Sequence, residues 1–342
     1  MEKTDILIRS CIKEILQLPG DTPNSFLYSS KSVKGLEIFN CFWECYIQQF
    51  NKFCILQNTH CKFVSDDFEN KKLQCLEKLK LDHEIINLTL QRKQYSKIIR
   101  SALRQNEFSA WCGLKQKGKG VILYNEVKHA NKWIYKRDGL STSEWTDCIK
   151  MTCNVAAVRA VPGRSIHTSH CRRCNEFESL AHVLGYCSYG ELARIKRHNV
   201  IRSLIADSLR HVGLEVHEEV VGLSSADSIR RIDIIAINRN KSIGYIIDPT
   251  IRFEDNLDQP ELVHKEKVLI YEPTIQFYKQ KFSVNSIEIT GLFFGSRGTL
   301  TKNYVDFRKF FKLPKSLDYN IVLTILKSSV YILRNHLFGV NI

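Results

Sequence analysis

Apolar positions along the chain follow two periods. Near the N-terminus, Ile6, Ile8, Cys11, Ile12, Ile15 and Leu16 recur with helical spacing, and Leu18-Pro19-Gly20 ends the run. After the turn-rich segment Asp21–Ser32, the stretches Leu36–Leu56 and Leu73–Ile99 keep the helical pattern, so this half reads as α-rich. From Glu191 to Val212, Leu192, Ile195, Val200, Ile201, Leu204, Ile205, Leu209 and Val212 mark another helix, stopped by Gly213. The period then shortens. Glu215–Val221 predicts a strand, and the runs Ile232–Ile237 and Ile243–Ile247 flank Asn238-Arg239-Asn240-Lys241 as a hairpin. Pro260 opens a helix to Tyr271, Ser286–Phe294 predicts a further strand, and Leu317–Leu337 a long amphipathic helix. The fold class expected is α+β: an α-helical N-terminal half, a small Cys/His module, then an α/β core.

Asp233 and Asp248 break the hairpin pattern, each standing at an end of an apolar run. Either they punctuate strand ends, or the hairpin brings them together, where close carboxylates repel unless a divalent cation lies between them. The acidic pair in Phe63-Val64-Ser65-Asp66-Asp67 lacks such a hairpin and reads as a surface turn.

Charge and cysteine content narrow the class. Among 342 residues, 50 Lys plus Arg against 36 Asp plus Glu leave a formal charge of +14, which favours polyanions such as nucleic acid or serves solubility alone. No N-terminal apolar region resembles a secretory signal and no run reaches a membrane span, so an intracellular protein with no membrane partner is expected. Its twelve cysteines should then be reduced. Cys41, Cys45, Cys54, Cys61 and Cys75 are scattered and read as core thiols, His60-Cys61 included. The segment KQKGKGVILYNEVKHANKWIYKR (115–137) either tracks a phosphate backbone, with bases stacked on Tyr124, Trp133 and Tyr135, or is a basic loop beside a half-buried strand.

Cys171, Cys174, His182 and Cys187 form C-x2-C-x7-H-x4-C, four soft ligands suited to a closed, structural tetrahedral Zn²⁺ site. Arg172 and Arg173 are expected to project from its first turn toward phosphate. Downstream, Arg194, Lys196, Arg197, His198 and Arg202 make the first half of the 191–212 helix basic, either as an ordinary exposed face or as a DNA contact.

The order helix, strand, acid-bearing hairpin and lysine-bearing helix is similar to the PD-(D/E)xK restriction-endonuclease core, although Ile232 and Thr250 stand where proline and lysine are usual. A narrower resemblance covers most of the chain. GRSIHTSHCRRCNEFESLAHVLGYC, Arg197-His198-Asn199, RRIDIIAI, IIDPTIRFE, Lys267-x3-Tyr271 and GLFFGSRG resemble the C-terminal part of polyproteins from site-specific, ribosomal-DNA-inserting non-LTR retrotransposons. IRSCIKEILQLPGDTPNSFLY and KGLEIFN resemble the segment after the reverse-transcriptase palm in the same polyproteins.

That resemblance implies a thumb-like segment (1–60), a helical and basic linker region (61–150), a CCHC zinc knuckle (151–190) and a restriction-like endonuclease (191–342). It implies Mg²⁺ or Mn²⁺ on Asp233 and Asp248, with Lys267 as the catalytic lysine, Lys265 as its rival, and Tyr271 and Glu254 in support. Glu219 is a further candidate, and Arg172, Arg173, Arg197, His198 and Arg297 would touch nucleic acid. The implied function is metal-dependent nicking of target DNA to prime reverse transcription, in the nucleus, with element RNA as a second partner. No reverse transcription is expected from the chain itself. The alternative is a zinc-containing nucleic-acid-binding protein without catalysis.

Overall fold

The structure, a computed structural model, describes residues 2–57, 67–82, 84, 92–165, 168–225 and 228–339. The chain packs as two compact units, Met1–Leu114 and Lys115–Ile342. Residues 63–66 of the acidic turn and the pair His60-Cys61 lie outside the described residues.

The first unit is helical among the described residues: α1 (Glu2–Ile15), α2 (Asn24–Tyr28), α3 (Cys41–Gln57), α4 (Phe68–Lys78) and α5 (Arg92–Cys112). Ile47, Phe50 and Cys54 of α3 pack with Cys75 and Leu76 of α4 and with Ile99 and Leu103 of α5. Cys54 and Cys75 are therefore core thiols. The buried carboxylate of Asp5 accepts the backbone N–H groups of Cys41 and Phe42 at 2.7 and 3.0 Å, so α1 caps the start of α3. The helix expected over Leu73–Ile99 is interrupted. Lys80 takes a left-handed φ of 55°, and the Leu81 N–H closes on the Leu76 carbonyl at 3.0 Å, a chain reversal that ends α4.

In the second unit, Val121–Asn125 and Lys128–Ile134 form 3₁₀ turns that bury Tyr124 and Trp133. These two rings belong to the core, which corrects their reading as stacking platforms; Tyr135 is exposed. Next come α6 (Thr142–Thr152), started by a reciprocal Ser141–Glu144 capping box, then α7 (Leu180–Gly185) and α8 (Glu191–His211). The sheet comprises β1 (Glu215–Leu223), β2 (Ile229–Asn238), β3 (Ile243–Arg252) and β4 (Ser286–Gly295), in the order β1-β2-β3-β4. β1, β2 and β3 are antiparallel neighbours, while β4 runs parallel to β3 after a crossover through α9 (Gln259–Tyr271) and α10 (Ile275–Phe282). α11 (Lys302–Phe310) and α12 (Ser316–Phe338) complete an α+β fold. Ile235, Ile237 and Ile246 of the hairpin pack with Tyr271, Tyr278 and Phe282 of α9 and α10.

The hairpin strands are longer than the apolar runs that announce them, so Asp233 and Asp248 sit within strands rather than at their ends. The β2–β3 ladder runs from Asn238↔Ile243 to Ile234↔Ile247 and stops there. β2 nevertheless continues to pair with β1 as far as Ile229, and β3 with β4 as far as Arg252. The sheet thus forks, with Asp233 and Asp248 the next residues on either side of the opening.

Candidate active site and metal centre

Three elements converge on the fork. Asp248, 3% exposed, accepts a hydrogen bond from the Tyr271 hydroxyl at 2.8 Å and pairs with the Lys267 ammonium at 3.1 Å, both through Oδ2. Thr250 donates to Oδ1 at 2.9 Å, so the residue in the usual lysine position still serves the second acid. Burial, then Asp248 and Asp233, raise the Tyr271 phenol well above its ordinary value, so it stays protonated and donates. On the other side of the fork, His198 of α8 sets Nε2 3.2 Å from Asp233 Oδ1.

Lys267 and Tyr271 lie four residues apart on one face of α9 and reach the same carboxylate. Lys265 points away, 65% exposed and 3.4 Å from Glu261. What lets α9 approach is Gly291 on β4, the register partner of Asp248. A Cβ there would lie 2.9 Å from Lys267 Cγ and 3.0 Å from His264 Cα, and the Gly291 N–H meets His264 Nδ1 at 3.3 Å. Sequence reasoning missed both Gly291 and His264, since only the strand register aligns them with the acid.

Glu219 on β1 falls between the pairs Glu218↔Ile234 and Val220↔Ile232, hence beside Asp233, in a left-handed conformation with φ 53°. Its carboxylate is held by Arg202 at 2.6 Å. Glu254 is placed elsewhere. Fully buried, it pairs with Arg297 at 2.9 Å and accepts the Thr299 hydroxyl at 2.7 Å, which closes the turn after β4. Arg297, expected to face phosphate, is fully buried and also donates to the Lys119 carbonyl at 2.6 Å. A guanidinium enclosed by its own carboxylate partner offers no surface to a ligand, which corrects that expectation.

The second centre is the Cys/His module. The ligating atoms of Cys171, Cys174, His182 and Cys187 all lie within 4.8 Å of one another. Cys171 and Cys187 Sγ are 3.9 Å apart and Cys174 Sγ is 3.3 Å from His182 Nε2. Four ligands about 2.3 Å from a tetrahedral ion would stand roughly 3.8 Å apart, so the cage can hold a metal ion such as zinc. Burial, with Cys171 beside it, pushes the Cys187 thiol up to about 12, a cost that a bound cation would reverse. His336 of α12, unforeseen from sequence because it lies far along the chain, sets its two ring nitrogens 3.8 Å from Cys171 Sγ and Cys187 Sγ. Glu178 meets the same ring at 3.2 Å.

Arg172 and Arg173 do not project outward as expected. Arg172 pairs with Glu178 at 2.8 Å, and Arg173 donates to the His336 carbonyl at 3.0 Å while lying 4.5 Å over the Tyr189 ring. They tie the module to α12. Arg197 is also buried, donating to Ser329 Oγ at 2.9 Å and the Leu184 carbonyl at 3.0 Å.

No family model matches the chain. It is similar to the Retrovirus-related Pol polyprotein from the type-1 retrotransposable element R2 of Popillia japonica, 26% identical over 53% of this chain and 38% of that protein. The type-2 element R2DM polyprotein of Drosophila melanogaster is 23% identical over 70% of this chain and 22% of its own length. The type-1 R2 polyprotein of Bradysia coprophila is 20% identical over 96% of this chain and 37% of its own length. The chain thus spans well under half the length of these relatives. It is related to R2 retrotransposon Pol polyproteins, which bears out the resemblance to a non-LTR polyprotein region.

Proposed function

We propose that this chain, a relative of the R2 Pol polyproteins, is a DNA endonuclease module with a PD-(D/E)xK-like core beside a structural zinc knuckle. The observation that carries the reading is the convergence of Asp248, Lys267 and Tyr271 at the sheet fork, next to the His198–Asp233 pair. Isolated acids on strands are common; a buried carboxylate served at once by a lysine and a tyrosine from one helix is harder to explain by packing alone.

Carboxylate oxygens suit Mg²⁺ or Mn²⁺, and two protein acids leave positions for water and a substrate phosphate. Bound there, the ion would polarise the scissile phosphate and lower the pKa of the attacking water. The chain's own residues set the stage. Tyr271 and Thr250 fix the two Asp248 oxygens, and His198 orients Asp233. Lys267, whose ammonium lies 3.1 Å from Asp248 Oδ2, would offset charge that develops on a phosphate bound beside that acid. The knuckle, held to α12 through Arg172, Arg173 and His336, would fix the flank of the core rather than take part in cleavage. Target DNA is the proposed substrate, a nick with a 3′ hydroxyl the product that primes element RNA copying, and the nucleus the place of action.

A second reading, nucleic-acid binding without cleavage, draws on one observation. Both oxygens of Asp248 are engaged by protein donors. The readings separate on supercoiled plasmid incubated with Mg²⁺: the endonuclease reading expects an open circle whose 3′ end a DNA polymerase extends, and an intact plasmid in both Mg²⁺ and Mn²⁺ defeats it.

A further inference from the structure

The first half of α8 is turned inside out. Leu192, Ile195 and Val200, expected to face the core, are 82%, 49% and 41% exposed, whereas Arg197 is buried. Beside this stretch, between α8 and α12, runs a groove of about 650 Å³. Lys196, Arg197 and Lys327 line it together with Tyr189, Val200 and Tyr331, and among the described residues no carboxylate does. Lys196 and Lys327 are exposed, as is Tyr189, and the Tyr331 ring is about a third exposed.

Arg197 makes this more than a basic face. Arg197 is 2% exposed, and among the described residues its guanidinium donates only to a hydroxyl and a carbonyl, while Nε has no hydrogen-bond partner. A buried cation without a bonded carboxylate is costly, and stability alone does not select it. Its charge leaves the groove floor positive beneath two exposed lysines. The exposed apolar and aromatic side chains around it ask for a ligand that carries both anionic groups and flat apolar faces.

We infer that this groove binds single-stranded nucleic acid, with backbone phosphates on Lys196 and Lys327 over the Arg197 charge and a base against Tyr331. The inference rests on the nuclease reading only for the expectation that nucleic acid is the partner. The groove lies on α8 and α12 and uses neither Asp233 nor Asp248. A single strand is favoured over a duplex because half-exposed tyrosines can stack only on unpaired bases.

The test is fluorescence anisotropy of labelled (dT)20 with the full chain, without added divalent cation, across a series of KCl concentrations. Binding should weaken with salt. The K196E/K327E variant should bind roughly tenfold more weakly, with a salt slope lower by about 1.4, two phosphate contacts' worth for a single strand. Tyr331→Ala should weaken binding roughly five- to a hundredfold at unchanged slope, the loss expected for one stacked base. Unchanged affinity and slope in K196E/K327E, with its melting curve intact, would overturn the groove; so would capture of a poly-glutamate peptide through these lysines without (dT)20 binding. Should the chain bind through the groove yet never nick plasmid, the groove stands and the cleavage reading fails.

Discussion

Gly291→Ala tests how the site is assembled, because it replaces neither the acid nor the lysine. Its new Cβ would stand 2.9 Å from Lys267 Cγ, 3.0 Å from Lys267 Cβ and 3.0 Å from His264 Cα. Carbon atoms prefer separations of about 3.5–4.0 Å, so roughly half an ångström or more must be found. Rotating the lysine side chain relieves only part of this, since His264 Cα belongs to the helix backbone. α9 must therefore back away from β4. The Lys267–Asp248 separation of 3.1 Å would then stretch past about 3.5 Å, where a hydrogen bond is lost. Overpacking of this kind costs about 1–3 kcal/mol, read as a melting point roughly 2–10 °C lower. Misplacing a reacting group by ~1 Å can cost about a hundredfold in rate, so a shift half as large should slow nicking roughly tenfold. Scanning fluorimetry and plasmid-nicking rates on the same preparations measure both. A variant that melts lower but nicks at the parent rate would refute the positioning role of Gly291, and one that melts and nicks like the parent would refute the close approach as well.

Arg297→Met should cost about 3–5 kcal/mol by removing the ion-pair partner of the buried Glu254 carboxylate, with no change in the salt slope of DNA binding by the folded fraction; a normal melting point would contradict the structural role. Cys187→Ser should abolish stoichiometric zinc and expose α12, which the metal cage contacts through His336, to faster hydrogen exchange; retained zinc would defeat the ligand assignment. Glu215 is held at about 2 by Arg239, then His217, against burial, so its contribution is present above about pH 4.5 and is lost as pH falls toward 2. With the pair half-exposed, Glu215→Gln should cost under about 1 kcal/mol at neutral pH and progressively less as pH falls through about 2; an unchanged gap across that fall would exclude the pairing as its cause.

How far the site was legible depended on whether its signal is local. The hairpin, the Pro260 helix and the C-x2-C-x7-H-x4-C spacing are short-range patterns, and the structure keeps all of them. The strand lengths were hidden because β2 extends through Ile229-Arg230-Arg231, where exposed side chains erase the apolar signal while backbone pairing to β1 goes on. Arg172, Arg173 and Arg297 read as surface charges because basic side chains usually are; Arg173 and Arg297 find partners distant in sequence, and Arg172 finds Glu178 only because the loop of the module folds back on itself. The same holds for α8. Its 3.6-residue period was right, but tertiary packing put Arg197 inside and Leu192 outside. Lys80 ended a helix that composition alone would continue.

Cleavage of DNA by the residues at the fork together with a divalent cation is what we propose. The direct measurement is the initial nicking rate of supercoiled plasmid in Mg²⁺ for the parent, Asp233→Asn, Asp248→Asn and Lys267→Met, with circular dichroism establishing that each is folded. Each substitution should lower the rate by about a hundredfold or more, in proportion to lost electrostatic stabilisation. Nicking that persists at the parent rate in folded Asp248→Asn and Asp233→Asn would contradict it.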